Sequence, residues 1–409
     1  MKLFKLMAIA LLAMLGFVAC DSKTEHIYDD HSADLVGTWT CLTENYAETL
    51  IINADGTAVS YGVEDGEYWE NVKGTVTVKE DNIVMNFEDD DNLTGHFDII
   101  PGMAFSLFED SGERFTFQYC ANDLSDEIVG MWVCNDGLTD GITIMSYSDN
   151  GKTTMTTAQS LGTSDPLVNH ESNYVVAGNL VFMELPAANE EGKPMYTAAL
   201  MTYIPNATST GDIITHKKYV PFGGDLKESV MSFLRIKQSL DFTGNKYAYK
   251  SAYVTNANGN DEDFTILGKT FNMANIGAAD FDVVFGADLY MVELNENSIT
   301  HKFRPDGQDV EVVTPITVEG NKVTLDYSAV SPACRKVEMY MFQDQDNTQL
   351  HMYMHTNSFV NYFANLGIPG LIAEGKLDPS DTAAVEKVFA DMESRVKSIN
   401  ASFVFKVLK

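Results

Sequence analysis

Basic residues are scarce in this chain. Lysine and arginine number 27 against 59 aspartates and glutamates, a formal net charge of −32 over 409 residues. A field of that sign repels nucleic acid and anionic lipid surfaces, so neither is expected as an electrostatic partner. No C-x-x-C occurs among the five cysteines, which disfavours a zinc ribbon or a thioredoxin-like centre. The patterns G-x-S-x-G, H-E-x-x-H, G-x-G-x-x-G and the Walker loop are all missing. The expectation is therefore a protein that is not an enzyme, with no catalytic residues, no cofactor and no bound metal. No apolar run approaches the roughly 20 residues that span a bilayer. With 45% hydrophobic and 11% aromatic residues, the chain is nonetheless globular, and its length suits two to four domains of about 100–200 residues.

The first twenty residues give an address. Lys2 and Lys5 precede an unbroken apolar run of twelve, Met7–Val18, the length of a signal-peptide core and too short for a membrane span. Phe17-Val18-Ala19-Cys20 resembles the lipobox of bacterial lipoproteins, although Phe17 stands where leucine is commonest. That resemblance implies cleavage after residue 19 and lipidation of Cys20, with residues 20–33 as a polar tether. Partnership with the membrane would run through this anchor. The implied location is the cell envelope, as an outer-membrane lipoprotein on the periplasmic face or the cell surface. Cys41, Cys120, Cys134 and Cys334 remain. An even count in an exported chain permits two disulfides in any of three connectivities, and free buried thiols are equally compatible with the spacing.

An internal repeat carries the architecture. Residues 32–41 read SADLVGTWTC and residues 125–134 read SDEIVGMWVC, five identities in ten at a constant offset of 93. A fixed period means duplicated structural units. Each copy is followed by short alternating segments. In the first, Leu50 and Ile52 precede the turn Ala54-Asp55-Gly56, and Val59, Val76, Val78, Ile83, Met85, Phe87, Phe97, Ile99, Phe115 and Phe117 continue the alternation. About eight such strands with one apolar face predict an all-β sandwich or barrel, and closure removes exposed edges.

The apolar pair, G-x-W and the following strand ending in N-x-D-G-T closely resemble the lipocalin-like, calycin-type β-barrel domains of Bacteroidota lipoproteins. The resemblance implies tandem antiparallel barrels over 34–124 and 125–236. Gly37, Trp39, Gly130 and Trp132 would be structural residues, each tryptophan plugging a closed barrel end. After Lys237 no G-x-W occurs, and Phe242–Tyr247 is at most a degenerate version with tyrosine for tryptophan. Strand signals still run on, and a divergent third barrel is expected over 237–409. A helical insertion before its last strand is expected as a helix over Ser358–Leu366 stopped by Gly367 and Pro369. A second helix should start at Asp378-Pro379-Ser380-Asp381, with Val385, Val388, Met392, Val396 and Ile399 on one stripe and Ala401–Leu408 as the closing strand.

Candidates for chemistry are few. His351 and His355 alternate with Leu350, Met352 and Met354 as a strand does, which separates them by about 13 Å, too far for one metal. Acidic clusters at 88–92, 258–263 and 344–347 lack the D-x-[DN]-x-[DN]-G spacing of a calcium loop. Tyr68 and Trp69 stand out as two large aromatics in an acidic, loop-like stretch, and they are the candidate ligand-binding residues, either stacking on a sugar or folding back onto the barrel. The leading expectation is a lipid-anchored envelope protein that binds a small apolar or amphipathic ligand in a barrel cup. The alternative is an interaction or glycan-binding scaffold with filled barrels.

Overall fold

A computed structural model describes residues 31–88, 92–134, 143–157, 168–208, 211–222, 225–242, 246–286, 288–304 and 309–408. The expected signal segment, Cys20 and the expected tether as far as residue 30 lie outside the described residues. So do residues 89–91 of the first acidic cluster and the turn Pro305-Asp306-Gly307.

Three closed eight-stranded antiparallel barrels make up the molecule. The first comprises β1 (Gly37–Leu42), β2 (Tyr46–Ile52), β3 (Thr57–Glu64), β4 (Glu67–Lys79), β5 (Asn82–Phe87), β6 (Asn92–Ile100), β7 (Ala104–Glu109) and β8 (Arg114–Tyr119), each paired with its sequence neighbour, with β1 closing on β8. Inward residues alternate with outward ones, so Leu50, Ile52, Ile83, Met85, Phe97, Phe105, Leu107 and Phe117 meet in one core. The Asp55-Gly56 turn joins β2 to β3, with Gly56 at φ +78°.

The second barrel repeats this plan with β9 (Gly130–Cys134), β10 (Thr143–Tyr147), β11 (Lys152–Thr157), β12 (Val168–Ala177), β13 (Leu180–Ala188), β14 (Pro194–Thr208), β15 (Gly211–Phe222) and β16 (Asp225–Ile236), which closes on β9. The third uses β17 (Lys246–Gly259), then β20 (Leu289–Asn295), β21 (Ser298–Phe303), β22 (Val310–Glu319), β23 (Lys322–Leu325), β24 (Val337–Gln343), β25 (Gln349–Met354) and β26 (Val396–Val407). A separate two-stranded sheet, β18 (Asp263–Ile266) with β19 (Lys269–Asn272), and a short helix α1 (Ala278–Phe281) fall between β17 and β20.

Helices α2 (Thr356–Ala373) and α3 (Thr382–Arg395) are inserted between β25 and β26, which pair directly. Helix α2 passes straight through Gly367 and Pro369 instead of stopping there. Phe359, Val360, Tyr362, Phe363 and Ile368 are all almost wholly buried against barrel 3. At about 1.5–3 kcal/mol per large apolar side chain, that burial outweighs the local cost of a glycine and a proline. Helix α3 starts three residues later than expected, with the Asp381 carboxylate capping Ala384 N–H at 3.0 Å. It ends before Val396, because Val396 and Ile399 belong to β26: Val396 pairs with Gly259 of β17, and the Thr356 hydroxyl accepts from Ile399 N–H and donates to Ile399 O.

The barrels pack side by side. Between barrels 1 and 2, Ala47, Val63, Ala177, Leu180, Phe182 and Ala198 form an apolar interface, fastened by Thr49 Oγ1 donating to Ala177 O at 2.8 Å. Between barrels 2 and 3, Val133, Ile144, Leu234 and Ile236 meet Phe342 and Tyr353.

Candidate functional site

Hairpin turns of an up-and-down barrel alternate between its ends. In barrel 1 the β1–β2, β3–β4, β5–β6 and β7–β8 turns gather at one end, and a cavity of about 430 Å3 opens there. Its deeper wall is apolar, formed by Met85, Leu107, Phe115 and Phe117 among others. One side is polar. Glu48, only 7% exposed, lies on the same face of β2 as Tyr46, Leu50 and Ile52. Its carboxylate accepts from the Ser60 hydroxyl at 2.6 Å and from the Tyr46 hydroxyl. Ser60 in turn accepts from Trp69 Nε1 at 2.8 Å. Burial pushes the Glu48 carboxyl above the ordinary carboxylate range, against the opposing effect of its two hydroxyl partners, with Glu109 adding a smaller push in the same direction. The Tyr46 hydroxyl is raised well above its usual value by burial and then by Glu48.

Strand β4 delivers Trp69 to this cluster, and Gly62 makes room for it. A Cβ at Gly62 would lie 2.1 Å from the indole Cζ2, so any larger residue displaces the ring. The segment 64–71 is thus a strand hairpin turning at Asp65-Gly66, where a loop was expected. Neighbouring strand residues face opposite ways. Trp69 lines the cup, whereas Tyr68 faces barrel 2, stacked on Tyr196 at 4.4 Å between centroids and 5.5 Å from Phe182. The structure does not bring the two aromatics to one surface.

Strand β1 starts at the opposite end of barrel 1. Trp39 is fully buried there, edge-on to Phe105 at 5.0 Å, and its Nε1 donates to Leu35 O at 2.7 Å. Trp132 in barrel 2 is equally buried and donates to Ile128 O at the same 2.7 Å. Gly37 and Gly130 both hold positive φ, at +145° and +134°, a backbone that glycine alone adopts without strain. In barrel 3 the corresponding first strand carries Tyr247, fully buried and accepting from Gln343 Nε2 at 2.6 Å. Two partners of the tryptophans were not singled out from sequence. Arg235 stacks over the Trp132 ring at 4.4 Å and donates to the carbonyls of Val129 and Glu127, and Tyr119 sits edge-on to Trp39 at 5.2 Å.

No protein-family model matches this chain, and no curated protein matches it. Among solved structures it is similar, at 10% identity, to a double mutant of the vaccine antigen Transferrin Binding Protein B from Haemophilus parasuis Hp5, with a TM-score of 0.21. That match covers 88% of this chain, which spans 65% of the other. A second similarity, also at 10% identity, is to a porin-like protein from Bacteroides uniformis ATCC 8492, with a TM-score of 0.14 and coverage of 48% of this chain and 94% of that one. Likenesses at these scores bear on neither activity nor partners, and the three-barrel architecture rests on the strand pairing described above.

The other lumens differ from the cup. Barrel 2 carries Tyr147, Tyr174, Met201 and Phe233 in its interior, with His216 buried against the Phe233 ring at 5.0 Å. Burial pushes His216 down to about 3, with Lys218 reinforcing the effect. In barrel 3, helix α2 sends Tyr362 inward to within 2.8 Å of His301 Nε2, and burial pushes that imidazole down to about 3 as well.

The cysteine spacing leaves disulfides or thiols open; in the structure Cys41, Cys120, Cys134 and Cys334 form no disulfide. The described acidic loops are occupied internally. Asp344 caps its turn through Thr348 N–H at 2.6 Å, and Arg395 reaches Glu262 at 3.2 Å. His351 stacks on Phe342 at 4.8 Å and His355 bonds Ser358 at 2.8 Å. Among the described residues no group of three or more potential ligands could hold a metal ion, and no helix is long and apolar enough to cross a membrane.

Proposed function

We propose that this chain is a lipid-anchored binding protein of the cell envelope, attached through Cys20, and that barrel 1 is its ligand-binding module. The cavity supports this reading: about 430 Å3 of space within the range of small-molecule sites, with an apolar wall of Met85, Leu107 and Phe117 facing polar and acidic groups that converge on it. Trp69, Tyr46, Glu48 and Ser60 are the ligand-contacting residues, and the ligand is small and amphipathic, with its polar end toward Glu48. Barrels 2 and 3, with bulky interior clusters and a helix set into the third, serve as scaffold or docking surface. No catalytic step is required of any of them.

Native mass spectrometry of the protein purified from an envelope extract, before and after organic-solvent extraction, tests the proposal. A mass excess that disappears on extraction, and that a Trp69→Ala variant lacks, is the expected result. A bare chain mass in both samples from well-folded protein would count against ligand binding and leave the scaffold role.

A further inference from the structure

Resting on that ligand-cup reading, we infer that the ligand of barrel 1 is an organic cation, an ammonium group carrying an apolar tail, with the ammonium held among Glu48, Tyr46 and Trp69 and the tail directed toward Leu107 and Phe117.

The charge balance of the cavity carries the inference. Glu48 is buried with two hydroxyl partners and no counter-charge. Among the described residues lining the cup there is no lysine, arginine or histidine, while Glu64, Glu109, Asp110 and Glu113 stand at its rim. Taking a carboxylate out of water is costly unless an opposite charge answers it. Here the chain supplies none, and a bound cation would. An anionic ligand would meet carboxylates alone. A neutral polyol would need donors beside Glu48, yet there the Ser60 and Tyr46 hydroxyls already donate to Glu48 and the Trp69 N–H is spent on Ser60, which leaves Asn92, Thr94 and Ser111 near the rim.

The aromatic groups fit the same charge. Tyr46 lies 4.9 Å from Phe115 and 6.1 Å from Trp69 between ring centroids, so three ring faces gather beside one carboxylate. Ring faces attract ammonium groups, most strongly when water is excluded. A bare metal ion suits the site poorly, because among the described residues Glu48 and Ser60 are the deep oxygen ligands, with one phenol beside them. The rim carboxylates would draw cations toward the mouth.

Protons couple to this binding. Burial favours the uncharged form of Glu48, whereas a bound ammonium favours the carboxylate, so proton and cation compete for the site. Affinity for an ammonium should therefore rise with pH through the Glu48 titration and then level off. Beside Glu48 stand Cys41 on β1, Tyr46 on its own strand, Ser60 on β3 and Glu109 on β7, with Glu64, Asp110 and Glu113 at the rim. Glu109 acts with burial to raise the Glu48 carboxyl, and the Tyr46 and Ser60 hydroxyls act against it.

The experiment uses the chain with Cys20→Ser, which removes the expected lipid attachment point and leaves every described residue unchanged. Hexyltrimethylammonium, hexylamine, hexanol and hexanoate are titrated calorimetrically, with tryptophan fluorescence as a second readout. We expect at least one of the two ammonium probes to bind, hexanol and hexanoate to bind more weakly than it, and Glu48→Gln to weaken that binding about thirtyfold. Should Glu48→Gln fail to fold, the pH dependence of ammonium affinity in the unmutated site decides in its place. Hexanol or hexanoate binding as tightly as the ammonium probes would overturn the cation assignment while leaving a ligand cup in place. No binding by any of the four, together with no extractable mass on the purified protein, would overturn the cup itself.

Discussion

Glu48 is a residue whose local energetics oppose folding. Its carboxyl is shifted up by burial, so the unfolded chain releases the proton at lower pH than the folded one does. Its stabilising effect is present below the ordinary carboxylate pKa and is lost as pH rises through the folded value. At neutral pH Glu48→Gln should therefore stabilise the protein, by about 1–3 kcal/mol for a buried charge relieved of its desolvation. Urea denaturation curves at neutral and acid pH check this, and the gain should vanish in acid. A Glu48→Gln variant less stable than the parent at neutral pH would contradict it. The thiols show a related effect. Burial, reinforced by Glu48, pushes Cys41 up to about 12. It should resist iodoacetamide in the native chain and react once the chain is unfolded, as peptide mass mapping will show. Glu48 leaves a sequence signal that is easily passed over: a charged residue in phase with Tyr46, Leu50 and Ile52 on the inward face of one strand. Reading that strand only from Leu50 onward hides it.

At the scale of elements, β4 carries two aromatics with separate tasks. Tyr68→Ala should loosen the joint between barrels 1 and 2, costing about 2–4 kcal/mol for the lost packing on Tyr196 and Phe182, and should leave ammonium affinity unchanged. Gly62→Ala should do the reverse, pushing the Trp69 indole out of the cup and weakening the ammonium probe about tenfold or more with little change in the barrel joint. Calorimetry and denaturation on the same two proteins separate these effects, and equal losses in both would refute the division. Barrels 1 and 2 were legible because inward apolar residues recur at period two between turn signals. The end of α2 was not. Gly367 and Pro369 are local stop signals, and only the burial of the helix against barrel 3, a long-range contact, overrides them. Strand β26 was partly hidden for a similar reason, since Val396 and Ile399 also satisfy the helical stripe of α3.

Across the whole molecule the barrels should respond differently to acid. His216 in barrel 2 and His301 in barrel 3 are held neutral by burial, each down to about 3, while the unfolded chain takes up those protons near pH 6.5. Stability is therefore lost as pH falls below that value, each histidine adding a slope of up to about 1.4 kcal/mol per pH unit. In barrel 1, Glu48 works the other way. Acidification should open barrels 2 and 3 before barrel 1, and hydrogen exchange at mildly acidic pH should show β15 and β21 losing protection while β2 keeps it. Simultaneous loss in all three barrels would contradict this order. Tryptophan fluorescence would miss part of the event, because Trp39, Trp69 and Trp132 are the chain's three tryptophans and none lies in barrel 3.

The paired tryptophan ends of barrels 1 and 2 have an evolutionary consequence. Ninety-three residues apart, the same buried indole meets the same carbonyl four residues upstream, beside a glycine with the same backbone twist. The lumens above them have gone separate ways, one toward a carboxylate and the other toward an imidazole. A gene duplicated in this form inherits its foundation ready-made, and drift or selection can alter what the upper half recognises without touching what keeps it standing.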